Sequence, residues 1–217
     1  FGSDAGDAMA RHEGCAEEEI MSANHPGRIV LHACCGPCLL YPLDALAAEG
    51  WKIHAFFYNP HIQPYQEWQR RLETARKVAA AADVPMIVRE DYELEEFFRE
   101  VAYRESRRCL YCYARRIEAA ARLAKKSGFD AFTTTLLYSK RQNHDMIRQI
   151  AQEAASRFSI PFHDVDFRTG WADGQKKAEA MGLYRQQYCG CLYSERDRFF
   201  PTRKPHPPKA EDNPGRP

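Results

Sequence analysis

Short apolar runs alternate with helix-patterned stretches along the middle of this chain, and the first apolar run feeds directly into three cysteines within five residues. Arg28-Ile29-Val30-Leu31-His32-Ala33 reads as a buried strand, Cys34-Cys35-Gly36-Pro37-Cys38 as the loop after it, and Pro37 to Ala48 as a helix with proline in its first turn. Trp51 to Tyr58 reads as a second strand closed by Asn59-Pro60. Pro64 to Ala82 is a long helix with Trp68, Leu72, Ala75 and Ala79 on one face, and Pro85 to Arg89 supplies a third short strand. Helices follow over Glu93 to Tyr103 and Tyr111 to Lys126, the second stopping at Ser127-Gly128, and Ala131 to Leu136 reads as a fourth strand. His144 to Phe158 is helical, Ile160 to His163 an edge strand demoted by Pro161, and further helices cover Gln175 to Leu183 and the segment after Cys191. Such alternation predicts an α/β fold, a parallel sheet covered by helices on both faces, with ligands outside the carboxyl ends of the strands.

With 217 residues, 44% of them hydrophobic, the chain can bury one substantial core, so the expected organisation is a single α/β catalytic domain over residues 28–200. Residues 1–27 and 201–217 lack apolar periodicity and read as a disordered leader and a disordered Pro-rich, charged tail. No apolar run approaches the ~20 residues of a membrane helix, and the polar start lacks the order of a secretory signal, so a cytoplasmic protein is expected. The first twenty residues hold six carboxylates against Arg11, a charge of −5; the whole chain carries +1, which leaves +6 on the remainder. Arg70-Arg71, Arg107-Arg108 and Arg115-Arg116 could therefore contact phosphates, although a solvated helix face explains any single pair as well.

Seven of the eight cysteines fall into the loop above, Cys109-Leu110-Tyr111-Cys112 and Cys189-Gly190-Cys191. In a reducing compartment such clustering points to metal or redox chemistry, and Cys15, alone in the leader, to neither. The first cluster stands where nucleotide-binding α/β proteins put a glycine-rich phosphate loop, at a helix start whose amide dipoles stabilise thiolates. Cys34, Cys35, Cys109 and Cys112 make four thiolates, enough for a tetrahedral zinc or a [4Fe–4S] cluster, and spacing does not separate the two. Cys189 and Cys191 fit a strained, easily reduced pair or a pair of metal ligands. Tyr184, Arg185, Tyr188 and Tyr193 nearby add stacking surface and charge suited to an extruded base. Tyr58-Asn59-Pro60-His61 and Thr133-Thr134-Thr135 lie at strand ends, where His61, Lys140 and His144 could bind a polar ligand or supply a proton; turn and capping chemistry accounts for the Asn-Pro and Thr residues too.

Taken in order and spacing, the Cys34–Cys38 loop, Tyr58-Asn59-Pro60-His61-Ile62, Cys109-x-x-Cys112, Thr133-Thr134-Thr135-Leu136-Leu137 and Tyr188-Cys189-Gly190-Cys191 resemble the QueH-type epoxyqueuosine reductases over residues 28 to 200. The resemblance implies a fold similar to the adenine-nucleotide α-hydrolase-like (HUP) sheet with a cysteine-rich metal site in place of the nucleotide loop. It implies an oxidoreductase of queuosine biosynthesis that removes the epoxide oxygen of epoxyqueuosine at the wobble position of a tRNA anticodon loop. Cys34, Cys35, Cys109 and Cys112 then correspond to [4Fe–4S] ligands and Cys189 with Cys191 to a redox-active pair. A second reading of the family places an additional mononuclear iron beside the cluster, held by Cys38 with Cys189 and Cys191. Cobalamin is not implied, and the electron donor is not identified. The family's usual Ser-Pro-Tyr after the threonine-rich strand is Tyr138-Ser139-Lys140-Arg141 here, which weakens transfer of substrate contacts to that loop.

Opening an epoxide to an alkene takes up two electrons and two protons and releases water, so an iron polarising the C–O bond and a thiol pair storing electrons would divide the work. Two other readings fit parts of the pattern. A zinc-held RNA-binding module needs only the thiolates; a tRNA-thiolating relative of the same sheet needs a pyrophosphate loop that Cys34 to Cys38 replace.

Overall fold

The computed structural model of the protein describes residues 27–200; the expected disordered leader and tail, and Cys15, lie outside the described residues except for Gly27. At the centre runs β1 (Arg28–His32), paired in parallel with β2 (Lys52–Phe57) on one side and β4 (Ala131–Thr134) on the other. β3 (Met86–Val88) joins the far edge of β2, giving the order β3-β2-β1-β4. Ile29, Val30, Leu31 and His32 are all buried, as a strand covered on both faces requires. Between β1 and β2 runs α1 (Gly36–Ala48), and between β2 and β3 runs α2 (Tyr65–Ala81), which packs against α1.

From β3 the chain passes α3 (Leu94–Val101) and α4 (Arg108–Lys126) before returning to β4, on the opposite side of β1 from β2. Right-handed crossovers put helices on opposite faces when the direction of winding reverses. Accordingly α4 lies against β1 and β4 and packs on α5 (His144–Phe158), while α1 packs on α2 and α6 (Trp171–Ala180). The reversal makes the carboxyl ends of β1 and β4 the crevice where such sheets bind ligands. A final helix, α7 (Leu192–Phe199), follows the last cysteines.

Four expectations shift. The helix carrying the second cysteine pair starts at Arg108 rather than Tyr111, after a 3-10 turn at Glu105–Arg107, so Cys109 and Cys112 both belong to it. The fourth strand stops at Thr134, whose hydroxyl accepts from the Leu136 N–H at 3.2 Å and caps a 3-10 turn over Thr135–Tyr138. Ile160–His163 supplies a single bridge, Phe162 opposite Phe132, because the segment touches the edge of β4 only through the Pro161 carbonyl and the His163 N–H. α6 starts at Trp171, four residues before Gln175, on a turn capped by Asp166.

The entrance to α1 depends on glycine. A Cβ on Gly36 would stand 2.5 Å from Thr74 Cγ2 and 2.6 Å from the Thr74 carbonyl oxygen, so α1 meets the backbone of α2 where the cysteine loop turns into helix.

Candidate thiolate centre

β1 ends beneath the first cluster, and polar side chains from the ends of β2 and β4 hold the loop in place. Asn59, buried after β2, donates from Nδ2 to the Ala33 carbonyl at 2.8 Å. The Thr135 hydroxyl accepts from the Cys34 N–H at 3.0 Å and lies 3.2 Å from Cys34 Sγ. Below them His32 is buried with Nδ1 2.9 Å from Thr134 Oγ1 and Nε2 3.2 Å from the Tyr58 carbonyl. A carbonyl only accepts, so Nε2 carries the hydrogen, and burial lowers the His32 pKa to about 4, keeping the ring neutral. The Asn-Pro and threonine motifs are thus structural supports of the cysteine loop.

Cys34, Cys35 and Cys38 bring their sulfurs within 4.8 Å of one another in a fully buried triad, with Cys34 and Cys35 Sγ 3.8 Å apart. Hydrogen bonds from the Cys35 and Cys38 thiols hold Cys34 well below the usual thiol range, against the opposing effect of burial; burial foremost raises Cys35, and the neighbouring thiols with burial raise Cys38. The Gln186 side-chain amide, 3.0 Å from Cys35 Sγ and 3.8 Å from Cys38 Sγ, points a donor at the triad.

Cys109, Cys112, Cys189 and Cys191 converge around a neighbouring cavity of about 180 Å³, together with Asn59, His61 and Arg116. Burial pushes the Cys112 thiol up to about 12, with Arg116 opposing. The buried Arg116 links the two sulfur groups: Nη2 lies 3.0 Å from Cys112 Sγ, Nη1 donates to Asn59 Oδ1 at 3.4 Å, and its side chain borders both this cavity and the next. Gln142 sits across from it, with Nε2 3.4 Å from Cys189 Sγ and Oε1 accepting from the Tyr113 hydroxyl at 2.6 Å.

A second, larger space of about 800 Å³ opens beside the triad, in the size range of small-molecule sites. Cys34, Cys38 and Cys189 line it together with Trp171, Gln175, Arg185 and Tyr188.

Among the residues expected to meet phosphate, each helical arginine pair divides. Arg70 is exposed and Arg71 buried; Arg115 is partly exposed and Arg116 buried. Periodicity carried that signal, since Arg71 shares a face with Trp68 and Ala75, and Arg116 with Tyr113 and Ala120. His61 is buried, stacked on Phe97, and without a hydrogen-bond partner at either nitrogen among the described residues. Burial and then Arg116 lower its pKa to about 3, so its 3.7 Å approach to Glu93 joins a neutral ring to a carboxylate that Arg115 and Tyr58 already occupy. His144 is engaged by the Ser139 carbonyl at 2.9 Å, and Lys140 lies over the Trp171 ring at 6.0 Å.

Among the described residues the donors gathered here are sulfur, seven thiols in two adjoining groups, and the close-set triad of Cys34, Cys35 and Cys38 holds no carboxylate. Soft donors of this kind suit iron–sulfur clusters and zinc, and buried guanidinium beside them offsets thiolate charge, so the residues fit a thiolate-bound metal group.

A parallel sheet wound in both directions, with sulfur at the switch point instead of a phosphate loop, defines a thiolate-centred α/β protein. The fold is shared with the U34-tRNA thiolase NcsA from Methanococcus maripaludis, a structure solved with its [4Fe-4S] cluster, which superposes with a TM-score of 0.53 at 14% identity, covering 83% of this chain and 69% of the thiolase. The sequence profile described as “Epoxyqueuosine reductase QueH” matches residues 29–197. Epoxyqueuosine reductase QueH of Dehalococcoides mccartyi is 33% identical over 82% of this chain and 98% of its own length. That of Thermotoga maritima is 34% identical over 79% and 92%. The chain belongs to the QueH family.

Proposed function

We propose that the protein is an epoxyqueuosine reductase, which reduces the epoxide of epoxyqueuosine in the anticodon loop of a tRNA to the alkene of queuosine, in the cytoplasm. Family membership over nearly the whole described domain is the observation that carries this reading. The thiolate centre supports it, because a two-electron reduction needs groups that store or relay electrons, and free cysteines placed this densely suit a reducing compartment. Among the described residues no helix is long and apolar enough to cross a membrane.

Cys34, Cys35, Cys109 and Cys112 would hold a [4Fe–4S] cluster between the two sulfur groups, which when bound supplies electrons one at a time. Arg116 offsets the thiolate charge from its buried place beside Cys112. The larger cavity offers the modified nucleoside aromatic surface from Trp171 and Tyr188 and the exposed charge of Arg185, groups suited to the extruded bases that RNA-modifying enzymes hold. Cys189 and Cys191 act as the dithiol: joining their sulfurs releases two electrons and two protons, which with the epoxide oxygen balance as one water. The Gln142 amide, fixed by Tyr113, keeps a donor on Cys189 Sγ through that exchange. An external electron donor then restores the thiols.

Cys34, Cys38 and Cys189 bordering one cavity favours a second reading, in which Cys38, Cys189 and Cys191 hold a mononuclear iron. Iron and sulfide analysis of anaerobically purified protein, with Cys189→Ser beside it, tests both. The dithiol reading expects brown protein and no turnover, with iron and sulfide at wild-type levels in the variant. Loss of one iron per chain with sulfide retained supports the second reading. Colourless wild-type protein containing zinc would refute the cluster.

A further inference from the structure

The backbone of the last cysteine pair is held far more tightly than its side chains. Four consecutive carbonyls are engaged. Those of Tyr188 and Cys189 accept from Arg71 Nη2 at 3.0 Å and Nη1 at 2.7 Å, and that of Gly190 accepts from the Gln63 N–H at 2.8 Å. The Cys191 carbonyl accepts from the Ser194 hydroxyl at 2.7 Å, and the same hydroxyl accepts from the Gly190 N–H at 3.1 Å. Gln63 Oε1 takes the Leu192 N–H at 3.2 Å. Cys189 itself is exposed and Cys191 partly so.

Arg71 is the unusual member. It is 2% exposed, its only carboxylate partner among the described residues is Glu67 one turn earlier at 2.7 Å, and Glu67 is gripped in turn by the Tyr184 hydroxyl. Burying a guanidinium is costly unless every part of it is used. Here Nε serves Glu67 while the two terminal nitrogens fork onto adjacent peptide carbonyls, a fit that depends on the planar shape of arginine. Gly190 has a φ of +157°, and a Cβ on it would lie 3.2 Å from Ile62 Cγ1 and 3.5 Å from Arg71 Nη1, so the loop is pinched between α2 and the segment after β2.

We propose that Arg71, oriented by Glu67, is a positioning residue that fixes the Cys189-Gly190-Cys191 backbone so that both thiols face the cavity shared with Cys109 and Cys112. This rests on the reading of Cys189 and Cys191 as working thiols. A rigid backbone beneath two mobile sulfurs lets them meet reactants without the loop searching for its place; misplacement by about 1 Å can slow a reaction a hundredfold.

Arg71→Met and Arg71→Lys, the latter keeping the charge but not the fork, are compared with Glu67→Gln in the metal-loaded enzyme. Three quantities are read: kcat and KM with epoxyqueuosine-bearing tRNA, hydrogen exchange of the backbone amides of residues 188–192, and iron with sulfide content. The expected result is a kcat fall of roughly tenfold to a hundredfold in Arg71→Met with KM within about twofold, and a partial fall in Arg71→Lys. Faster exchange confined to the loop and unchanged iron accompany it. Glu67→Gln follows in the same direction, more weakly, and serves if the Arg71 variants do not fold. Wild-type exchange in the loop, full kcat in Arg71→Met, or losses that track lost iron would overturn the proposal. If Cys189→Ser turns over at the wild-type rate, the working-thiol reading fails by itself, and the exchange data still decide whether Arg71 holds the loop.

Discussion

Replacing Gly36 with alanine adds one methyl group where α1 meets α2, and the structure sets what that methyl must displace. Its nearest neighbours would be Thr74 Cγ2 at 2.5 Å, the Thr74 carbonyl oxygen at 2.6 Å and its carbonyl carbon at 2.7 Å. Comfortable contact lies near 3.5 Å, so one helix must retreat by about 1 Å. Two of the three atoms are backbone of α2, so no side-chain rotation relieves the overlap. Overpacking of this kind costs about 1–3 kcal/mol, against a gain of at most about 1 kcal/mol from replacing glycine in a helix. The balance is a net loss near 1–2 kcal/mol, which for a domain of this size lowers Tm by about 3–6 °C. Denaturant unfolding of the purified variant measures the first quantity and a thermal melt the second. The same retreat separates Cys35, at the cap of α1, and Cys38 within it from Arg71 on α2, so iron retention should fall with stability. Truncating Thr74 to alanine as well clears only Cγ2 of the three overlapping atoms, at the loss of the hydroxyl bonded to the Arg70 carbonyl, and restores little. A Gly36→Ala protein that melts at or above the wild-type temperature would refute the close-approach argument.

Three further outcomes follow from the same coordinates. Folded His61 titrates near 3 and a free imidazole near 6.5, so the unfolded chain binds one more proton between them. Its contribution is whole above about pH 6.5 and is lost toward pH 3 at about 1.4 kcal/mol per pH unit; His61→Phe should flatten the acid limb of a stability-versus-pH curve by that slope, and an unchanged limb would exclude His61. Asn59→Asp replaces the donor facing the Ala33 carbonyl with an acceptor, leaving a buried carbonyl unpaired at about 1–3 kcal/mol; a melt within one degree of wild type would show that carbonyl to be satisfied elsewhere. Arg185→Gln, at the exposed edge of the larger cavity, should weaken tRNA binding and reduce the slope of log K against log salt by about 1. Equal slopes for the two proteins would take Arg185 out of the phosphate contacts.

Much of the architecture is legible in the chain because local pattern and tertiary role coincide. Ile29 to Leu31 is apolar without alternation, as a strand covered on both faces must be, and the long helices α2, α4 and α5 show their buried stripes. Boundaries slipped where a contact from elsewhere intervenes. Thr134 ends its strand by capping the next turn, and Pro161 limits the edge segment to one bridge. Arg70-Arg71 and Arg115-Arg116 read as a solvated face or as phosphate contacts, yet each of these two pairs holds a buried member, because composition counts charges and only a helical phase sends Arg71 and Arg116 inward.

By itself the sequence determined the alternating α/β order, the family, and the three clusters that hold seven cysteines, since these depend on residue type and spacing alone. The tertiary structure decided how the cysteines are grouped. It brought the sulfurs of Cys34, Cys35 and Cys38 together, set Cys109 and Cys112 around one cavity with Cys189 and Cys191, and made the buried Arg71 the link between the last loop and α2. The cavity joins Cys109 and Cys112 to cysteines about 80 positions later, and Arg71 reaches a carbonyl 118 positions away; such separations are bridged by strand order and helix packing rather than by any local preference of the chain.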